Sequence, residues 1–220
     1  MMRVLQFGRR ASSGRTGSLV IFLHGYGADG ADLLGLADPL APHLPGTVFM
    51  APDAPEPCVG TPFGRQWFPI PWLDGSSEAA FAASLVQSSD DLNGFIDAAM
   101  AAEGVGPAAT ALVGFSQGTM MALQVALRRA EPLAAVVGFS GRLLRPETLA
   151  QAITARPPVL LVHGDADQVV PYADLAKAEA GLKAAGVPVQ AHTSRGTGHG
   201  IAPDGLGIAL QFLQRCLPMG

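Results

Sequence analysis

Along the chain, short uninterrupted apolar runs alternate with longer stretches in which apolar and polar positions mix at helical spacing. Residues 19–23, 48–50, 111–115, 134–139 and 159–162 are continuous apolar runs, most of them closing near Gly, Pro or Asp. A run without polar alternation reads as a strand buried on both faces, as in a parallel sheet covered on each side by helices. Between residues 77 and 102, Phe81, Leu85, Leu92, Phe95, Ile96, Ala99 and Met100 recur at spacings of three, four and seven, one stripe of a helix. Residues 117–129, 172–185 and 203–217 carry the other predicted helices. Gly186 stands where the helix over 172–185 needs a C-cap, and Pro203 suits the first turn of the last one. Strand–helix alternation with five to seven strands predicts an α/β fold, a mainly parallel sheet between helical layers, in one domain over residues 1–220. Residues 51–77 break the rhythm. Prolines and both tryptophans crowd there, and the stretch reads as a long ordered loop walling a ligand site.

Composition narrows the function classes. Of 220 residues, 49% are apolar and 15% charged, enough to fill a large core and too apolar for a disordered chain. The net charge is −4, and just two of the fourteen bases are Lys. That balance speaks against a nucleic-acid or anionic-membrane partner, either of which needs a basic patch. The apolar runs are too short to span a bilayer, so no membrane insertion is expected. The first ten residues hold no uninterrupted apolar stretch of the secretory kind. Cys58 and Cys216 lie far apart with no CxxC spacing, which predicts two ordinary thiols and a cytoplasmic protein.

The most informative segment is Gly114-Phe115-Ser116-Gln117-Gly118, which follows an apolar run and opens a helix. A Ser on a sharp strand-to-helix turn sits in strained backbone with its flanking segments close together. Glycines two residues to either side remove the Cβ atoms that would collide there. The helix N-terminus behind the Ser favours developing negative charge. Roughly 0.2 Gly-x-Ser-x-Gly matches are expected by chance in this composition, so the flanking strand and helix carry much of the inference. Ser140, in Gly138-Phe139-Ser140-Gly141-Arg142, has the upstream Gly and lacks the downstream one, and reads as an ordinary strand-end serine.

A serine needs a base to act as a nucleophile, and the base needs a carboxylate to hold it. In α/β-hydrolases the order along the chain is Ser, then acid, then His. Of the histidines after Ser116, His163 ends a strand run ahead of the acids and fits a structural role. His192 lies in an extended-looking run. His199, in the turn Gly196-Thr197-Gly198-His199-Gly200, is the favoured base. The acid is Asp165 or Asp167; the first suits capping of backbone N–H groups, the second lies deeper in the loop. His163 with Asp165 and Asp167 has no further ligand at suitable spacing, so no metal site is expected. His24-Gly25-Tyr26-Gly27 follows the first strong strand, where backbone donors lie over the nucleophile, and the N–H of Gln117 is a second donor. These glycines are not spaced as GxGxxG, which removes a dinucleotide-binding reading.

Taken together, the segments resemble the phospholipase/carboxylesterase family of α/β-hydrolases, the group that includes acyl-protein thioesterases, from about Leu19 to Leu217. His24-Gly25-Tyr26-Gly27 is similar to the family's oxyanion-strand motif, Trp67-Phe68 to its aromatic pair, and Gly114-Phe115-Ser116-Gln117-Gly118 to its elbow. His163-Gly164-x-x-Asp167-x-Val169-Val170-Pro171 resembles its acid loop and Gly198-His199 its base. The resemblance implies an α/β-hydrolase fold with no large cap domain and a Ser116–Asp167–His199 triad, with Asp167 preferred over Asp165. It further implies an oxyanion hole from the Tyr26 and Gln117 N–H groups, substrate contacts at Trp67 and Phe68, and a monomer or homodimer. Eukaryotic-type members usually carry Leu where Tyr26 stands and Gly where Thr119 stands. Pro69-Ile70-Pro71-Trp72-Leu73 also departs from their Trp-Phe-Asp continuation. These departures point away from a long-chain acyl-protein substrate.

The expectation is therefore a serine carboxylesterase acting on short- to medium-chain small-molecule esters, without cofactor. An acyl-protein thioesterase or lysophospholipase with a longer acyl channel is the alternative. A binding protein on a hydrolase fold is the remote one, since such proteins commonly lose a triad member or the elbow glycines.

Overall fold

The computed structural model describes residues 2–58 and 63–218. Its strands are β1 (Phe7–Arg10), β2 (Ser18–Leu23), β3 (Thr47–Pro52), β4 (Glu56–Pro57), β5 (Arg65–Gln66), β6 (Thr110–Phe115), β7 (Ala135–Phe139), β8 (Val159–Gly164) and β9 (Val189–Ser194). Its helices are α1 (Gly30–Leu34), α2 (Ala37–Leu40), α3 (Pro71–Asp74), α4 (Glu78–Glu103), α5 (Gln117–Ala126), α6 (Leu149–Ala152), α7 (Ala173–Ala184) and α8 (Pro203–Cys216). Seven strands form one sheet in the order β1-β3-β2-β6-β7-β8-β9. All neighbours run parallel except β1, which pairs antiparallel with β3 at one edge.

The continuous apolar runs are the central strands, and the period-two geometry of a strand divides each run between two cores. From β2, Leu19, Ile21 and Leu23 join the core shared with α4, α5 and α7, while Val20 and Phe22 join the core shared with α1, α2 and α8. Residues of β6, β7 and β8 split in the same way. The sheet is thus covered on both faces, the condition that removes polar alternation from its strands. No large cap domain is present among the described residues.

Helix α4 begins where Ser77 accepts the Ala80 N–H at 3.1 Å and ends at Gly104 in a left-handed conformation (φ 66°). Its predicted stripe is buried at Leu85, Leu92, Ile96, Ala99 and Met100. Two polar residues share that stripe. The Ser88 hydroxyl donates to the Trp67 carbonyl, and the buried Asp91 carboxylate accepts the Arg3 backbone N–H and Nε, each at 2.7 Å. Residues 51–77 are less loop-like than their prolines suggest. They contain the end of β3, the β4–β5 hairpin and α3, with residues 59–62 outside the described part.

The segments that carry the candidate chemistry leave the C-terminal ends of parallel strands: 24–27 after β2, 116 after β6, 165–167 after β8 and 195–199 after β9. Ligand sites of open α/β sheets form at that end, because neighbouring strands of like direction deliver their loops together.

Candidate active site

Ser116 is the N-cap of α5 and has φ 53° and ψ −115°, outside the regions an L-residue occupies without strain. Its N–H donates to the Phe139 carbonyl at 2.8 Å, and its own carbonyl accepts the Met120 N–H at 3.2 Å. The flanking glycines are steric requirements. A Cβ on Gly114 would lie 2.5 Å from the Gly118 backbone, and one on Gly118 would overlap the Leu23 carbonyl. The turn therefore brings α5 directly against the end of β2. Gln117 opens the helix, so its N–H has no intrahelical acceptor and points into the dipole's positive end.

The two acid candidates separate by their partners. Asp165 is exposed and its Oδ1 accepts the Gly196 N–H at 2.6 Å, holding the turn that precedes His199. Asp167 is buried, and its Oδ2 lies 2.7 Å from His199 Nδ1. Its Oδ1 accepts the Val169 and Val170 N–H groups at 2.8 and 2.9 Å. Burial pushes the Asp167 carboxyl up, but the His199 hydrogen bond and these two amides outweigh it and hold its pKa below the usual carboxylate value. Because Nδ1 faces a carboxylate it carries the proton, leaving Nε2 of His199 as the basic nitrogen. The His199 ring packs on that of Phe115, centroids 4.9 Å apart, which sets the imidazole beside the residue preceding Ser116.

His163 adds to this arrangement. Buried at the end of β8, its Nε2 faces two acceptors, the Val170 carbonyl at 3.0 Å and Asp167 Oδ2 at 3.2 Å. Between two acceptors Nε2 must bear the proton, so His163 is a second donor near the carboxylate oxygen that His199 uses. His192, on β9, pairs instead with Asp204 of α8 at 2.7 Å.

The segment after β2 lies against the elbow: a Cβ on Gly25 would sit 3.3 Å from the Ser116 Cβ. His24 is fully buried, its Nδ1 2.7 Å from the Gly25 carbonyl and its Nε2 accepting the Ala54 N–H at 2.9 Å. That pairing requires the neutral Nδ1–H tautomer, and burial lowers its pKa accordingly. Gly27 has φ 83°, and its N–H donates to Arg65 of the β4–β5 hairpin at 2.9 Å. Tyr26 is half-buried in this turn, its hydroxyl pKa raised by burial and by the neighbouring Cys58.

The aromatic pair divides. Trp67 is fully buried, its Nε1 donating to the His24 carbonyl at 3.0 Å, whereas Phe68 lines a cavity of about 250 Å³ beside the first turn of α5. Ile70, Phe81, Met120 and Leu143 continue the apolar wall. The Gln117 side chain joins this wall to the elbow. Its Oε1 accepts the Trp67 N–H and its Nε2 donates to the Phe68 carbonyl, both at 2.8 Å. This amide clamp was beyond the sequence, which points only to the Gln117 main chain.

The family model for Phospholipase/Carboxylesterase matches residues 10–217. The chain belongs to that family. It is similar to the esterase YpfH of Escherichia coli (strain K12), 31% identical over 206 residues that cover 91% of this chain and 83% of the relative. It is also similar to acyl-protein thioesterase 1 homolog 1 of Dictyostelium discoideum, 27% identical over 90% of each chain. Among solved structures it resembles esterase PE8, with 44% identity and a TM-score of 0.92 over 98% of this chain and 100% of that one. It also resembles acyl-protein thioesterase 2 of Zea mays, with 26% identity and a TM-score of 0.78 over 97% of this chain and 99% of that one. The chain is a carboxylic ester hydrolase of the α/β-hydrolase fold.

Thr119, one of the positions where the sequence suggested a difference from eukaryotic-type members, is visibly accommodated. Its hydroxyl lies 2.8 Å from both the Gly114 and Phe139 carbonyls, linking the ends of β6 and β7. Room for its side chain comes from Gly138 and Gly141; a Cβ on Gly138 would lie 2.5 Å from Thr119 Cγ2, and one on Gly141 would overlap Thr119 Cβ. Among the described residues no group of three or more His, Cys, Asp or Glu is arranged to hold a metal ion. No helix among them is long and apolar enough to cross a membrane.

Proposed function

We propose that this hydrolase cleaves short- to medium-chain carboxylic esters by two-step acyl transfer, with Ser116 as nucleophile, His199 as base and Asp167 as its orienting acid. The carrying observation is the 2.7 Å Asp167–His199 hydrogen bond on a loop that packs against the strained Ser116 turn. His199 Nε2 takes the Ser116 proton as Oγ attacks the carbonyl carbon. The oxyanion is met by the Tyr26 and Gln117 N–H groups, and the imidazolium then protonates the departing alkoxide. Water, deprotonated by the same nitrogen, releases the acid. Asp167 remains ionised throughout, fixing the tautomer and balancing the imidazolium. The chain acts as one domain, and its two free thiols support a cytoplasmic setting.

The apolar cavity walled by Phe68, Phe81 and Met120 supports the short chain length. At about 250 Å³ it falls below the roughly 300–1,000 Å³ typical of sites for drug-sized ligands, which suits a short acyl group. The acyl-protein thioesterases among its relatives favour a second reading with longer chains. A series of p-nitrophenyl esters from acetate to palmitate decides between them. Turnover peaking at short chains and lost in Ser116→Ala is expected. A peak at palmitate would transfer the assignment to the thioesterase reading, and turnover independent of Ser116 would remove both.

A further inference from the structure

The cavity beside the elbow is apolar in its walls but carries charge at its rim, from Arg142 and Arg145 against Glu78, which is exposed in the first turn of α4. Two guanidiniums and one carboxylate line it, and Asp174 lies behind Arg142, so the unmatched charge at the rim is that of Arg145. The arginines differ in what holds them. Arg142 follows Gly141, whose added Cβ would lie 2.9 Å from the Ser116 carbonyl, so its backbone is tied to the elbow. Its Nε lies 3.2 Å from Asp174, and its guanidinium rests over the Trp72 ring with Cζ 5.4 Å from the centroid. Asp174 is shared with Lys177, so Arg142 is partly neutralised and well anchored.

Arg145 is neither. Among the described residues no carboxylate lies within ion-pair distance of it, and its guanidinium sits over Phe81 with Cζ 5.6 Å from the centroid. Its backbone is left-handed (φ 49°, ψ 55°), which costs a non-glycine residue about 1–2 kcal/mol. Its charge reaches Arg128, whose guanidinium is pushed down in pKa first by burial and then by Arg145. An exposed, unpaired guanidinium held in strained backbone over an apolar cavity is arranged for an anion that is not part of the protein. A planar fork of N–H donors suits a carboxylate in particular.

We propose that the cavity selects esters whose acyl chain ends in a carboxylate, with Arg145 reading that group and Arg142 supporting it from the Trp72 side. This rests on the assignment of Ser116 as nucleophile and of the cavity as acyl site. It makes half-esters of linear dicarboxylic acids better substrates than the matching neutral esters. Low-dielectric walls strengthen the pairing, and its electrostatic part is screened by salt.

The test compares kcat/KM for the mono-p-nitrophenyl ester of adipic acid and for p-nitrophenyl hexanoate, which share a chain length. The half-ester is expected to be favoured about tenfold, equivalent to about 1.4 kcal/mol. The ratio should fall toward one in Arg145→Gln, recover in part in Arg145→Lys, and shrink as salt rises from about 50 mM to about 500 mM. The remote Arg156→Gln should keep it. Equal kcat/KM for the two esters overturns the proposal, as does a preference that Arg145→Gln leaves intact or that Arg156→Gln abolishes equally. Adipate binding to Ser116→Ala by calorimetry separates this from the esterase reading. Binding lost on adding Arg145→Gln sustains the anion site even if neither ester is cleaved, and absence of binding overturns it.

Discussion

Two serines end neighbouring strands in the same manner and then part. Gly114-Phe115-Ser116 closes β6 and Gly138-Phe139-Ser140 closes β7, paired in register from Gly114↔Gly138 to Phe115↔Phe139. Both serines have positive φ, 53° and 48°, and each N–H donates at 2.8 Å to the next strand, to the Phe139 and Val162 carbonyls. Ser140 is thus not the ordinary strand-end serine its sequence suggested. The difference lies in the next two residues of each segment. Gln117 and Gly118 let α5 start against Leu23, and Ser116 stays half-buried at the site. Gly141 and Arg142 continue without a helix, and Ser140 is 1% exposed with its hydroxyl 3.4 Å from the Gly200 carbonyl. Backbone strain turns the chain at both strand ends; the local sequence beyond the turn decides which hydroxyl stays accessible.

The strongest way to break this comparison is to remove each hydroxyl. Ser116→Ala should lower turnover by roughly 10³–10⁶, while Ser140→Ala should stay within about twofold, read on any ester the wild type cleaves. Comparable losses at both positions would end the distinction. Next, Asp167→Asn should cost about 10⁴ in kcat by presenting the wrong imidazole tautomer.

The same carboxylate gives a pH signature. Its folded pKa is lowered, so its contribution to stability is full above the ordinary carboxylate pKa. It fades as pH falls below that value and is gone once the folded value is passed. The Tm difference between wild type and Asp167→Asn should track that course. Gly118→Ala tests the device that separates the serines. The overlap with Leu23 should destabilise by about 3 kcal/mol or more in denaturant unfolding. The smallest effect is Ser140→Gly, where relief of left-handed strain opposes added unfolded-state entropy. A gain below about 1 kcal/mol with turnover retained is expected.

The parts of the molecule that were legible in the sequence are those where one local pattern implies one environment. Residues 19–23 or 159–162 are apolar at every position because both sheet faces are covered, and the stripe from Phe81 to Met100 repeats because one face of α4 is buried. Strand β1 gave no such signal, since this edge strand carries Arg9 and Arg10 on opposite faces, paired with Glu103 and Asp38, and has no buried run. Ser88 and Asp91 sit on the buried stripe for reasons that lie far along the chain, in Trp67 and Arg3. The same holds at the site. The elbow glycines, the Asp167 loop and the His199 turn are short segments with local meaning. The Gln117 amide on Trp67 and Phe68, the His163 proton near Asp167 and the charge at the cavity rim exist only because separate loops converge.

Thr119 carries a consequence for the order in which such a sequence can change. Its side chain occupies space that Gly138 and Gly141 leave open, and its hydroxyl bridges the carbonyls of two strands. With glycine at 119, a Cβ at 138 would first meet Leu161 Cδ2 at 3.3 Å, whereas one at 141 would still lie 2.9 Å from the Ser116 carbonyl. Gly138 is therefore tied to Thr119, Gly141 to the elbow as well, and Thr119→Gly alone would leave a gap beside both. A side chain at 138 is thus harmful while threonine stands at 119 and far less so beside glycine, a pairwise dependence that position 141 does not share.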